Sequence, residues 1–485
     1  MLPKQEHLVL SDHSDLYGIL IKKDNMLRRI NEMIDFSFVR KELEGKYCPD
    51  NGRMAEDPVR MFKYLLLKVI NPQSDVDLVK RAYTDMSYKY FLGLAPEDDV
   101  IDPSLLTKFR RQRLKDSDLL GLLIGKTVAI AISKGIIKGK STLIVDSTHS
   151  VSGYNLYKPW ELLKMRMRAL VKACHPFFGD SLKEKDLKLG RDTTDYRDGI
   201  ADCRRAIAKV EASGMRDIPA ISSALHLLEE SIDDMEHFSW LSKDSEARVG
   251  HKTANSKFFG YKEHLGLTTE RIITAAVVTT GEHTDGNVLP DIVRQSEDNG
   301  LKVESLIGDA AYSGKDNIKL CQDKGIDLTA PLNPVISNGN RKGEKFEYNK
   351  DAKMFVCPAG HMAVRKQNGP GSGANHNRRV KYFFDVIKCR ECPLREGCYR
   401  EGAKTKSYVT TIMSDEHKKM LEAQNTPEFK RKMKERYKIE EKNSELKNVY
   451  GLKKTMSFGL ESMQLQTAMA IFAANIKRIL KLSGN

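Results

Sequence analysis

The sequence predicts an α/β protein in which a mixed sheet, its elements in the order β-β-β-α-β-α-β, follows a helical domain and is split by two insertions. Three observations carry this reading. Apolar residues recur at helical spacing up to about residue 140; short β-branched runs alternate with helical patterns between about 142 and 331; and a Gly-, Asn- and Lys-rich stretch gathers four of the eight cysteines.

Val59 to Ile70 (VRMFKYLLLKVI) and Asp75 to Leu92 are apolar at helical spacing on either side of an Asn71-Pro72 breaker, so residues 1–140 read as a small helical domain. It closes on the basic helix LLTKFRRQRLK, where Lys108, Arg110, Arg111 and Arg113 form either a solvated face or a phosphate-binding one. Thr142 to Val145 is a short aliphatic and β-branched run ending in Asp146, which reads as a buried strand. The charged stretch 154–243 carries no strand signal and reads as a helical insertion. Phe258 to Leu267 and Arg271 to Thr280 then form a hairpin turned at Thr268-Thr269-Glu270. Asn287 to Asn299 reads as a helix, Val303 to Asp309 as a strand, Lys315 to Lys324 as a helix and Asp327 to Pro331 as a strand. This order is that of a ribonuclease H-like mixed sheet, three antiparallel strands followed by two that join through right-handed crossovers. Residues 333–413 read as a second insertion, rich in cysteine and basic residues. Thr426 to Asn448 resumes as one long charged helix, and Leu460 to Leu482 closes the chain with an apolar face. The catalytic domain is thus expected over 141–485.

Composition narrows the partners. A chain of 485 residues exceeds the ~250–300 residues at which single cores stop growing. With 40% hydrophobic and 30% charged residues it reads as globular and neither disordered nor fibrous. The net charge of +14 favours a polyanion, with nucleic acid first. No apolar run approaches the ~20 residues of a membrane helix and the first residues lack a secretory pattern, so a cytoplasmic location is expected. In a reducing compartment clustered cysteines point to metal, and Cys357, Cys389, Cys392 and Cys398 make a candidate structural Zn²⁺ site. Arg378 and Arg379, beside it, are candidate DNA contacts.

In the predicted sheet the first and fourth strands are parallel neighbours whose carboxyl ends carry Asp146 and Asp309, the edge where ligands of open α/β sheets bind. Two adjacent carboxylates repel unless a cation lies between them, and Mg²⁺, which takes one or two carboxylates with water and phosphate, suits the pair. Arg436, Glu440 and Lys447, four and seven residues apart, fall on one helical face. Glu440 therefore supplies a third acid between two phosphate-binding cations, while Glu441 points away toward a surface pair such as Lys438.

These residues resemble the DDE transposases of bacterial insertion sequences. LIVDST looks like that family's first-aspartate motif, IGDAAYSG like its second, and ERYKIEEKNSELK like its glutamate region, patterned Tyr-x2-Arg-x3-Glu-x6-Lys. Met433 stands at the tyrosine position. GRMAEDPVRMFKYLLL, YFLGL and DPSLLTKFRRQRL resemble its N-terminal domain, and GYKEH its hairpin. The resemblance implies binding to terminal inverted repeats and target DNA, and strand cleavage and transfer with two Mg²⁺ (or Mn²⁺) ions per active site held by Asp146, Asp309 and Glu440. It implies a homodimer assembled on DNA ends. Two other readings stay open: a ribonuclease H-like nuclease or domesticated recombinase without strand transfer, and a zinc-dependent DNA-binding regulator.

Overall fold

The computed structural model describes residues 11–48, 54–154, 158–190, 196–237, 242, 244–253, 256–333, 346–349, 351–369, 379–411 and 414–484. Among the described residues the N-terminal part holds eight α-helices: α1 (Leu16–Leu20), α2 (Met26–Met33), α3 (Ser37–Leu43), α4 (Pro58–Ile70), α5 (Asp75–Thr84), α6 (Met86–Leu92), α7 (Pro103–Gln112) and α8 (Leu119–Ser133). Local chemistry sets their starts. Asp57, Ser74, Asp85, Asp102 and Asp118 each cap a helix through the side chain, and Pro58 and Pro103 occupy first-turn positions where no amide donor is missed.

The central sheet is built from β1 (Lys140–Val151), β2 (Arg248–Thr253), β3 (Ser256–Thr268), β4 (Ile273–Thr280), β5 (Lys302–Ile307) and β6 (Asp327–Thr329). Its order is β2-β3-β1-β5-β6, with β4 also on β3. β3 runs antiparallel to β1, β2 and β4, whereas β5 lies parallel to β1 and β6 parallel to β5. The protein is thus a mixed α/β fold. β1 is longer than the expected Thr142–Val145 run, because antiparallel pairing with β3 carries it through Asp146 to Val151. β2 escapes the sequence pattern: RVGHKT lacks an apolar alternation and pairs only with the far end of β3. Arg271, at φ +67, takes the left-handed position in the turn between β3 and β4.

Between β1 and β2 lie α9 (Pro159–Cys174), α10 (Tyr196–Ala212) and α11 (Pro219–His237), with a separate core through Leu163, Leu170, Cys203, Val210, Ile221 and Leu228. Helices α12 (Leu289–Asp298) and α13 (Lys315–Lys324) connect β4 to β5 and β5 to β6. After β6 come the hairpin β7 (Glu347–Asn349) and β8 (Met354–Val356), then a three-stranded antiparallel sheet of β9 (Arg365–Gly369), β10 (Arg379–Phe384) and β11 (Lys406–Thr411), with the short α14 (Val386–Arg390).

The last part holds α15 (Asp415–Ala423), α16 (Pro427–Lys434), α17 (Tyr437–Asn448) and α18 (Leu460–Ser483). The single long helix expected over Thr426–Asn448 is two helices. At the junction the amides of Glu435 and Arg436 bond three residues back, to Lys432 and Met433, and this tighter winding offsets α17 from α16. α18 is buried along most of its length, packing on α4, α8 and the sheet. One core therefore runs from Leu27, Phe62 and Leu66 through α18 to Tyr261 and Leu265 on the sheet.

Candidate active site

Register brings the two aspartates together. Ile144 of β1 pairs with Ile307 of the parallel β5, and Asp146 and Asp309 each lie two residues further along. Gly308 precedes Asp309 because a Cβ there would stand 2.7 Å from the Tyr312 ring, which packs against this corner. The Asp309 carboxylate accepts a 2.8 Å hydrogen bond from the Ala311 amide, fixing the turn that follows the strand.

Helix α17 lies against β1 and supplies the facing wall. Asn443 donates from Nδ2 to Asp146 Oδ2 at 3.1 Å, and Arg436 Nη2 stands 3.7 Å from Asp146 Oδ1. The same guanidinium is 3.8 Å from Glu440 Oε1, whose side chain is 62% exposed. Lys447 Nζ sits 3.4 Å from His149 Nδ1. Arg436, Glu440, Asn443 and Lys447 thus form the expected stripe, to which the structure adds Asn443. Its spacing, three residues after Glu440 and four before Lys447, was the available signal.

The electrostatics describe a site short of positive charge. Burial pushes the Asp146 carboxyl up to about 6; Arg436 pulls it down, while Asp309 and Asp285 push it up further. Asp285, which the sequence did not single out, is held by Lys262 Nζ at 2.9 Å and lies 3.7 Å from His264 Nδ1. Burial lowers the Lys447 ammonium, with Glu263 and Asp146 opposing. Glu263, wholly buried on β3, is pushed up to about 8 by desolvation, against Ser150 and Lys447.

Hard carboxylate oxygens that share uncompensated negative charge are the donor set that Mg²⁺ requires. Asp146 and Asp309 fit that role directly. The expected third ligand is not drawn up with them: Glu440 turns to solvent beside Arg436, and among the described residues no three His, Cys, Asp or Glu side chains stand in joint reach of one ion. Glu441 pairs with Arg271 and not with Lys438, which instead holds Glu435.

The basic helix is only half free. Arg110 grips Asp75 at 2.5 Å in a cluster that includes Lys68, and Arg113 bonds the Lys46 carbonyl while lying 4.3 Å over the Tyr47 ring. Lys108 and Arg111 are exposed. Arg379 is exposed on β10, and Arg378 lies outside the described residues. Cys357, Cys389, Cys392 and Cys398 line a cavity of about 70 Å³ together with His361 and Phe384. No described helix is long and apolar enough to cross a membrane.

The family described as Transposase domain (DUF772) matches residues 15–112, and that described as Transposase DDE domain matches 356–480. The second match contains Arg436, Glu440 and Lys447 and begins after Asp146 and Asp309. No curated protein matches the chain. Among solved structures, a cryo-EM structure of the piggyBac transposase synaptic complex with hairpin DNA is 10% identical and covers 94% of this chain and 77% of that one, with a TM-score of 0.28. The two matched domains define the class: a DNA transposase. Over residues 356–480 the chain is similar to the DDE transposases.

Proposed function

We propose that this transposase serves an insertion sequence, binding its terminal inverted repeats through residues 1–140 and cleaving and transferring DNA strands at the sheet edge formed by β1 and β5. The strand order β4-β3-β1-β5-β6, three antiparallel strands followed by two parallel ones, supports reading the catalytic domain over 141–485 as ribonuclease H-like. The observation that carries the proposal is the parallel register Ile144–Ile307, which sets Asp146 beside Asp309 under a helix bearing Arg436, Glu440 and Lys447.

Asp146 and Asp309 would hold two Mg²⁺ or Mn²⁺ ions, with Glu440 joining them if its exposed side chain turned inward from Arg436. Such ions, when bound, acidify an attacking water or DNA 3′-hydroxyl and stabilise the leaving oxygen. The protein's own groups do the rest. Asn443 fixes the Asp146 carboxylate through Oδ2, Arg436 exchanges Glu440 for a DNA phosphate, and Lys447, half-buried beside His149, meets a second phosphate; alignment of this kind is a large part of such catalysis. Joining two ends calls for two protomers on DNA, in the cytoplasm.

Incubating the protein with its element's end sequences, Mg²⁺ and a target plasmid tests this. Joined products are expected. Nicks without joining indicate a nuclease, and a mobility shift alone a regulator. Glu440→Gln should lower cleavage by orders of magnitude, whereas Glu441→Gln, losing only the exposed pair to Arg271, should be nearly silent. The reverse result removes Glu440 from the site.

A further inference from the structure

The segment from residue 346 to 411 is poorly equipped to hold itself together. Among its described residues the buried core is seven, Phe346, Phe355, Ala363, Val380, Tyr382, Phe384 and Tyr408, under two small sheets. Units of that size are normally secured by disulfides or metal. Its cysteines are free thiols.

At the edge of this core, four cysteines from three separate stretches of chain face one cavity. Cys357 follows β8, Cys389 lies in α14, Cys392 comes just after that helix, and Cys398 ends the next turn. Tight turns fix each approach. Cys357 accepts from the Gly360 amide and donates to the His361 carbonyl, both at 2.8 Å, with Gly360 at φ +81. Arg395 donates to the Cys392 carbonyl at 3.1 Å and Cys398 to the Arg395 carbonyl at 3.0 Å, with Gly397 at φ +72. The Leu394 amide is aimed at the Cys392 sulfur, 3.4 Å away. An amide directed at sulfur stabilises the thiolate, the form that binds metal.

The geometry points to a structural zinc site formed by Cys357, Cys389, Cys392 and Cys398 in this cavity. Four sulfurs select a soft or borderline ion, and a closed Cys₄ set is the structural tetrahedral type. As the side chains stand, no three of them are in joint reach of one ion, so binding requires the sulfurs to turn inward to about 2.3 Å from it. The ion then ties the turn after β8, α14 and the following loop to the three-stranded sheet, making a rigid carrier for Arg379 and Lys381.

The test is elemental analysis of the full chain grown with zinc and purified without chelators. About one tightly held zinc per chain is expected. It should be kept in Cys48→Ser and in the Asp146→Asn/Asp309→Asn double variant, and lost in Cys389→Ser/Cys392→Ser. Cobalt exchanged for zinc in the wild-type chain should give the absorption of a tetrahedral thiolate complex, a readout that does not depend on any variant folding. Zinc near zero per chain with no cobalt–thiolate spectrum overturns the site, and so does zinc lost with the aspartates but kept without the cysteines. Neither result bears on strand transfer, so this inference and the proposed function fail separately.

Discussion

Asp146 carries a burial cost that can be measured. Its folded carboxyl titrates near 6 because desolvation and the charges of Asp309 and Asp285 outweigh Arg436, whereas an unfolded aspartate titrates near ~3.9. The native state therefore binds the proton more tightly. Stability is greatest below the unfolded value and falls as pH rises through about 6. Above that, the ionised group costs at most about 3 kcal/mol. Asp146→Asn, without added Mg²⁺, should melt higher than wild type at pH 8, and the gain should shrink to nothing near pH 4. An equal melting temperature at both pH values would show that Asp146 is well solvated. The sequence marked Asp146 as an acid following a buried strand. That burial beside Asp309 raises the same acid follows from the approach of β5 and α17, which no local pattern records.

At the scale of elements, α7 shows how a charge pattern divides between structure and binding. Four basic residues in one helix read as a possible phosphate-binding face, yet Arg110 and Arg113 turn toward Asp75, Lys46 and Tyr47 while Lys108 and Arg111 face solvent. The two pairs should separate by experiment. Arg110→Ala leaves the half-buried Asp75 with Lys68, so urea unfolding should show a loss of roughly 1–3 kcal/mol. Lys108→Ala/Arg111→Ala should leave stability nearly unchanged. If both contact phosphates, the slope of log affinity against log salt should fall by about 0.9 for each. An unchanged salt slope in that double variant would leave α7 a structural helix alone. Helix α17 makes the converse point: its stripe was legible because a 3.6-residue period fixes which side chains share a face. The break before it, at Glu435 and Arg436, was not legible, since ERYKIEEK has no proline or glycine to announce it.

For the whole molecule, α18 is the joint between the N-terminal helices and the sheet. Phe472 meets Phe62 edge-on at 5.8 Å. Asn475, fully buried, donates to Thr127 Oγ1 at 2.9 Å and to the Ile273 carbonyl at 2.8 Å, and accepts from the Ile273 amide at 2.9 Å. One side chain thus satisfies the buried start of β4 and ties it to α8. Asn475→Ala should cost about 2–4 kcal/mol, because it strands buried backbone groups and opens a cavity. The loss should appear in a single unfolding transition sensed from both regions, for which a residue of α4 and one of β3 can carry the probes. Two transitions, only one of them shifted, would mean that residues 1–140 fold apart from the sheet in spite of the shared core.

The sequence by itself marked the transposase motifs and most of the central elements, though not β2 or the break before α17, because periodicity, capping and short motifs are local and survive without a fold. It marked Asp146, Asp309, Glu440 and the cysteine group by residue type and spacing. Only the tertiary structure decided how these meet. The parallel register of β1 and β5 sets two aspartates side by side, α17 adds Asn443, and the turn after β4 adds Asp285. Packing tied Arg110 of α7 and Arg113 just after it to partners within the protein and left Glu440 outside the acidic pair. Such outcomes depend on contacts between residues hundreds of positions apart, such as Asp146 with Asn443, whose energies belong to the folded arrangement and to no single stretch of chain.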